Sequence, residues 1–280
     1  MSNLRIPGIA HVLAVASGKG GVGKTTVAVN LALALHQGGV RVGLFDADLH
    51  GPNIPLMLGI PPKSSTGKPL NIAVVRTDPR PYIPPLERFG LKSMSLGLLI
   101  GDTDTILADG PLAGRMICRT LQDVVWGELD VLLLDFPPGT GEPQRTLLNT
   151  IHFDGVLLVT TPQDLSLMDT SRSVGFFRQT DVPILGVVEN MSFLYCPHCG
   201  EPIEVFARSQ REWAITDTAF EQLGRIPLHM SLSRGFDTGH PLLQTMLDSP
   251  EAVAFRRLAA EVSRKVGLAP GSSPQREGHA

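Results

Sequence analysis

Residues Val12 to Ala34 read VLAVASGKGGVGKTTVAVNLALA. An apolar run (Val12, Leu13, Val15) passes into the glycine-rich turn Gly18-Lys19-Gly20-Gly21-Val22-Gly23, and Lys24-Thr25-Thr26 then opens a long Ala/Leu/Val-rich segment. The order is strand, loop, helix. Gly18, Gly23, Lys24 and Thr25 satisfy the pattern G-x-x-x-x-G-K-S/T in the context that separates a phosphate-binding loop from a chance match. A chain carrying it must deliver a strand into a helix at one edge of a sheet, which restricts the fold to the α/β class.

The residue types follow from the chemistry. Glycines lacking Cβ let successive backbone N–H groups converge on phosphate oxygens, and the start of the next helix adds unpaired N–H groups and a positive dipole end. Gly18, Lys19, Gly20, Gly21, Val22, Gly23, Lys24, Thr25 and Thr26 are therefore the expected phosphate cradle of a bound nucleotide. Lys24 is expected to bridge the β- and γ-phosphates, and Thr25 to offer its hydroxyl to Mg²⁺.

Further strands end in acids. Val40 to Phe45 leads into Asp46-Ala47-Asp48, and Val131-Leu132-Leu133-Leu134 leads into Asp135. In open α/β sheets ligands bind at the carboxyl ends of strands, so these carboxylates belong beside the phosphate loop, with Asp135 holding Mg²⁺ through water and Asp46 supporting Asp48. A turn aspartate capping the next segment is the plainer account of Asp48. Gly155 to Thr160 and Pro183 to Val188 are two more strands, joined by a helix over Asp164 to Gln179, and Glu251 to Val266 is an amphipathic closing helix. Pro61 to Arg88 looks like an excursion from the sheet edge, with an apolar run at Leu91 to Leu99 after it. Strand and helix alternate throughout, which predicts one doubly wound, mostly parallel α/β domain over residues 1–268 and a disordered tail at 269–280.

Bulk properties remove some function classes. With 42% hydrophobic residues the chain can bury a large core, and a net charge of −3 gives no global basic field, so neither nucleic acid nor a membrane is an expected partner. No apolar run approaches membrane-spanning length and the N-terminus has no basic-then-apolar signal pattern, which points to the cytoplasm. Three cysteines (Cys118, Cys196, Cys199) are too few for a disulfide scaffold, and Cys118 reads as a small buried hydrophobe.

Lys19 exceeds what phosphate cradling needs. The run KGGVGKT resembles the deviant Walker A ATPases, the class of the nitrogenase iron protein and the Min and plasmid-partition ATPases. The resemblance implies an ATP-dependent homodimer in which Lys19 reaches the partner's nucleotide, and catalysis by Lys19, Lys24 and Asp48, the last polarising the attacking water. A solvated loop lysine is the alternative. Asp135-Phe136-Pro137-Pro138-Gly139-Thr140-Gly141-Glu142 is narrower still and resembles the Mrp-type iron–sulfur carrier ATPases from about Ile9 to Arg264. Asn190 matches the position that reads adenine there, a role an amide's paired donor and acceptor can fill, and a turn asparagine is the alternative. Gly224 to Leu228 resembles the segment passing over the adenine. Asp109, where the family often has arginine, and Phe206 to Trp213, where it often has glycines, depart from the pattern.

Cys196-Pro197-His198-Cys199-Gly200 is a turn that aims two thiolates together, a half-site for a soft metal. Four ligands are needed, so a second copy related by a twofold axis would complete the set. In the resembled family the pair bridges subunits around a 4Fe–4S cluster. Zinc at the same position, a redox dithiol and an inert knuckle are the competing readings. The expected function is an ATP-hydrolysing homodimer that carries a 4Fe–4S cluster to apo iron–sulfur proteins. A Min- or partition-like spatial-organisation ATPase and a zinc-bridged regulatory ATPase are the alternatives.

Overall fold

The computed structural model describes residues 3–48, 53–61, 75–76, 81–98, 110–206, 221–229, 232, 235–236 and 238–268. Most of the excursion, Asp109, Ala207 to Trp213 and the tail at 269–280 lie outside the described residues. The main elements are β1 (Ile9–Ser17), α1 (Lys24–Gln37), β2 (Val42–Asp46), β3 (Leu86–Arg88), β4 (Leu91–Ser95), α2 (Gly110–Asp123), β5 (Leu129–Asp135), α3 (Glu142–Thr150), β6 (Gly155–Thr160), α4 (Asp164–Phe177), β7 (Ile184–Glu189), β8 (Leu194–Tyr195), β9 (Pro202–Ile203), β10 (Gln222–Arg225) and α5 (Pro250–Val266). Eight strands form one sheet in the order β10-β7-β6-β1-β5-β2-β4-β3. Among the described strands of this sheet, only β3 runs antiparallel to its neighbour.

Strand periodicity makes this a three-layer molecule. Leu13 and Val15 of β1, Val131 and Leu133 of β5, and Leu157 and Val159 of β6 pack into the core shared with α1 and α5. Their alternates Val12, Ala14, Leu132, Leu134, Val156 and Leu158 pack on the opposite face against α2, α3 and α4. Central parallel strands buried on both faces read as unbroken apolar runs for this reason.

Helix ends obey local chemistry. Ser249 caps α5, its Oγ accepting from Ala252 N at 3.1 Å, and Gly267 closes it at φ 71°. Gly39, at φ 86°, turns the chain after α1, and Val40 N donates back to Leu35 O at 3.2 Å. Val40 therefore belongs to the helix terminus, and β2 starts at Val42.

Two segments differ from the sequence reading. Leu91–Ser95 is an internal strand of the main sheet, paired with β2 from Gly43↔Lys92 to Asp46↔Ser95. Its three polar residues obscured this, yet each is satisfied: Lys92 Nζ donates to Trp126 O at 2.7 Å, Ser93 Oγ to Leu86 O at 3.2 Å and Ser95 Oγ to Asp46 Oδ2 at 3.3 Å. Gln222–Arg225 is the last strand, β10, so the Gly224 to Leu228 segment begins inside the sheet. Cys118 is buried, as a small hydrophobe would be. Among the described residues no helix is long and apolar enough to cross a membrane.

Candidate nucleotide and metal site

The turn after β1 is held from two sides and open on a third. Ser17 Oγ donates to Lys19 O at 2.9 Å. A Cβ on Gly18 would fall 2.3 Å from Asp169 O in α4, and one on Gly23 would fall 2.2 Å from Asn190 Nδ2. Gly23 also sits at φ 81°, a conformation in which other residues are strained. Gly20 and Gly21 face open space, which leaves backbone accessible to a ligand. The N-terminus of α1 has no side-chain cap and no acidic residue in its first turn, so its N–H groups suit an anion.

Behind the loop lies a buried charge cluster. Lys24 Nζ donates to Asp135 Oδ1 at 2.6 Å, and Thr25 Oγ1 donates to Asp135 Oδ2 at 2.6 Å. Asp46 receives Asp48 N at 3.1 Å, Ile54 N at 3.2 Å and Ser95 Oγ at 3.3 Å. Burial, followed by the neighbouring Asp135 charge, pushes Asp46 up to about 8. Burial also raises Asp135, against the lowering effects of Lys24 and Thr25, and Asp48 adds a further push upward. Asp48 is half-buried beside this cluster, its side chain close enough for its charge to be felt at Asp135. Lys24, Thr25, Asp46, Asp48 and Asp135 are thus brought together as expected, whereas Lys19 lies partly exposed on the outer limb of the turn.

Asn190 follows β7 and is buried, with Nδ2 donating to Val22 O at 2.8 Å. It braces the phosphate loop and also lines a cavity of about 330 Å³ with Thr26, Met57, Pro227 and Phe236. One contributor escaped the sequence reading. Gln144 Nε2 donates to Pro137 O and Pro138 O, each at 2.8 Å, and so holds the loop after β5. As the third residue of a helix it carried no distinguishing signal.

The cysteines sit on a small hairpin, β8 pairing with β9 at Leu194↔Ile203 and Tyr195↔Pro202. Cys196 N donates to Glu201 O and Gly200 N to Cys196 O, both at 2.8 Å, which closes the knuckle, with Gly200 at φ 75°. Hydrogen bonds from the backbone of Cys199, then His198, then the Cys199 side chain hold the Cys196 thiol below its usual range. A lowered thiol pKa favours the thiolate that binds metals. Among the described residues no group of three or more His, Cys, Asp or Glu is placed to hold a metal ion, so the knuckle presents Cys196 and Cys199 without a third described ligand beside them.

Glycine-rich loop, buried Lys24–Asp135 pair and parallel sheet together define a P-loop NTPase fold, of the type that carries an extra lysine in the loop. The family described as ParA, NUBPL iron-transfer P-loop NTPase, matches residues 8–263, and the chain belongs to it. The iron-sulfur cluster carrier protein of Methanocaldococcus jannaschii is 40% identical over 260 residues, 92% of this chain and 86% of that one. Iron-sulfur cluster transfer protein NUBPL of Dictyostelium discoideum is 38% identical over 268 residues, 96% of this chain and 80% of that one. Among solved structures, a nucleotide-binding protein from Archaeoglobus fulgidus in complex with ADP superposes with a TM-score of 0.70 at 34% identity, covering 88% of this chain and 92% of that one.

Proposed function

We propose that this chain is an ATP-hydrolysing homodimer that holds a 4Fe–4S cluster between Cys196 and Cys199 of two copies and hands it to apo iron–sulfur proteins. The observation that carries the reading is the exposed knuckle. Cys196, its thiol pKa lowered by backbone hydrogen bonds, lies beside Cys199, yet the pair supplies only half of the four sulfurs a cluster takes. The names of the relatives at 38% and 40% identity agree with a carrier role.

In this reading Lys24 leaves Asp135 for the β- and γ-phosphates, and the backbone N–H groups of Gly20 to Thr25 take the remaining phosphate oxygens. Thr25 Oγ1 and Asp135 Oδ2, already 2.6 Å apart, are hard oxygen donors that fit Mg²⁺. Mg²⁺ when bound would neutralise triphosphate charge. Asp48 orients the attacking water, Lys19 answers charge on the partner's nucleotide, and Asn190 turns part of its amide to adenine. Turnover is expected to be slow, and the protein acts in the cytoplasm without nucleic acid or membrane.

Anaerobic reconstitution tests the proposal. About four iron and four sulfide per two chains are expected, with loss of both in Cys196→Ser/Cys199→Ser. No iron bound, or iron retained by the double variant, would sink it. Zinc in anaerobically purified protein would favour the zinc-bridged alternative.

A further inference from the structure

The nucleotide loop and the cysteine hairpin are joined by one polar cluster. Glu189 ends β7, is buried, and directly precedes Asn190, whose amide holds Val22 O. Its Oε1 accepts from Ser192 Oγ and, at 3.1 Å, from Arg225 Nε. Arg225 Nε also reaches Ser192 Oγ at 2.7 Å, and Nη2 reaches Glu204 Oε1, just past β9, at 3.5 Å. The guanidinium carbon lies 5.0 Å from the centroid of the Phe193 ring, which meets the Tyr195 ring edge-on at 5.1 Å, and Tyr195 adjoins Cys196.

Main-chain bonds fasten the same route. Ile226 N donates to Glu189 O at 2.8 Å, Ser192 N to Ile226 O at 3.0 Å, and Leu228 N to Phe193 O at 2.7 Å. Between Asn190 and Ser192 the chain passes through Met191 at φ 53°, a left-handed conformation that is costly for this residue type. A strained pivot therefore separates the amide that touches the phosphate loop from the hairpin that bears the sulfurs.

We propose that Arg225 is a positioning residue that couples nucleotide occupancy to the presentation of Cys196 and Cys199. ATP draws the Asn190 amide away from Val22 O. The shift passes through Met191 to Ser192 and Glu189, and Arg225, gripping both together with Glu204 and Phe193, carries it to the two limbs of the hairpin. A planar fork with its donors in fixed directions suits this, where a lysine's compact ammonium on a flexible stem would not hold Glu189, Ser192 and Glu204 in one fixed geometry. The inference rests on the nucleotide role proposed above for Asn190, and it needs no cluster.

The test uses reduced, metal-free, full-length protein. Alkylation of Cys196 and Cys199 by iodoacetamide is timed by mass spectrometry with and without ATP and Mg²⁺, saturation being checked for every variant with a fluorescent ATP analogue. Wild type is expected to change rate by about fivefold on nucleotide binding, the lower end of common intersite coupling. Arg225→Met keeps the apolar stem against Phe193 and loses the fork, so the nucleotide dependence should vanish. Glu204→Gln, on the exposed side, should weaken it. A dependence that survives in Arg225→Met, or is missing from wild type, overturns the proposal. If Arg225→Met fails to bind nucleotide, Arg225→Lys decides: dependence lost supports the relay, dependence kept overturns it. A protein that binds iron without nucleotide-dependent alkylation refutes the relay alone, and one with the relay but no iron refutes the carrier reading alone.

Discussion

Asp46 and Asp135 stand opposite each other at the carboxyl ends of adjacent parallel strands, paired in register and enclosed by the fold. Two carboxylates in such a site cannot both ionise cheaply, and Asp46 is held protonated up to about 8, by burial first and by Asp135 second.

This has a direct consequence for stability. An Asp in the unfolded chain loses its proton near 3.8, whereas the folded chain keeps it on Asp46 until about 8. Between those limits the folded state binds more protons, so its stabilising contribution is complete below the lower limit and is lost as pH rises toward the upper. Urea unfolding of the nucleotide-free protein should show stability falling by up to about 1 kcal/mol per pH unit across this window. Asp46→Asn, uncharged throughout, should flatten that slope. A wild-type profile already flat between pH 5 and about 8 would refute the assignment.

Lys24 and Asp135 form a buried ion pair at 2.6 Å, with Lys24 7% and Asp135 0% exposed. Asp135→Asn removes the carboxylate that Lys24 bonds directly, a change expected to cost about 3 kcal/mol, less whatever Asp46 offsets by ionising once Asp135's charge is gone. For a domain of this size that is a fall in melting temperature of roughly 5–10 °C. ATP alone should recover part of the loss, because its phosphates supply the missing negative charge to Lys24. Calorimetry with and without nucleotide reads both effects, and equal deficits in the two conditions would show that Lys24 does not meet phosphate.

Lys19 lies on the partly exposed limb of the loop, outside the buried cluster around Lys24. Lys19→Ala should therefore abolish hydrolysis and leave ATP affinity within about twofold, since only an interaction made in the assembled transition state is removed. Mixing it with an Asp48→Asn variant sharpens the result. A hybrid dimer regains one working site only if the lysine acts on its partner's nucleotide, and the absence of any recovered turnover would place Lys19 on its own.

Legibility in the sequence tracked how local each signal was. The loop from Gly18 to Thr25 and the acids Asp46 and Asp135 were readable because strand, turn and helix act within a few residues of one another. Strand β4 was not, because Lys92 and Ser93 interrupt its apolar residues, and Lys92 is satisfied by Trp126 O, 34 residues further on, and Ser93 by Leu86 O on the paired strand β3. Asn190 follows directly on β7, but its grip on Val22 O spans 168 residues and leaves no local trace. The same holds for Arg225, whose partners at Glu189 and Ser192 come from the neighbouring strand and its following turn.

Gln144 makes the case most sharply. The loop after β5 contains Pro137 and Pro138, which have no N–H to offer, so its carbonyls depend on outside donors. Gln144 Nε2 supplies one to each of them at 2.8 Å, and Gly139 N anchors the far side to Ser17 O at 3.2 Å. Asp135 and the phosphate loop flank this segment, so its position bears on the γ-phosphate more than on the base or the α- and β-phosphates. Gln144→Leu keeps the volume and removes both donors, and turnover should fall by about tenfold or more, the scale on which a small misplacement acts. Nucleotide affinity should change little, because the residues that bind most of the ligand are untouched. Gln144→Glu, buried against the same two carbonyl oxygens, is held protonated and offers one donor where the amide offers two, so its loss should be smaller than that of Gln144→Leu. Single-turnover hydrolysis beside equilibrium titration separates the two quantities: equal losses in rate and affinity would mean the loop supports binding as a whole, and no loss in either would mean the Gly139–Ser17 bond holds it unaided.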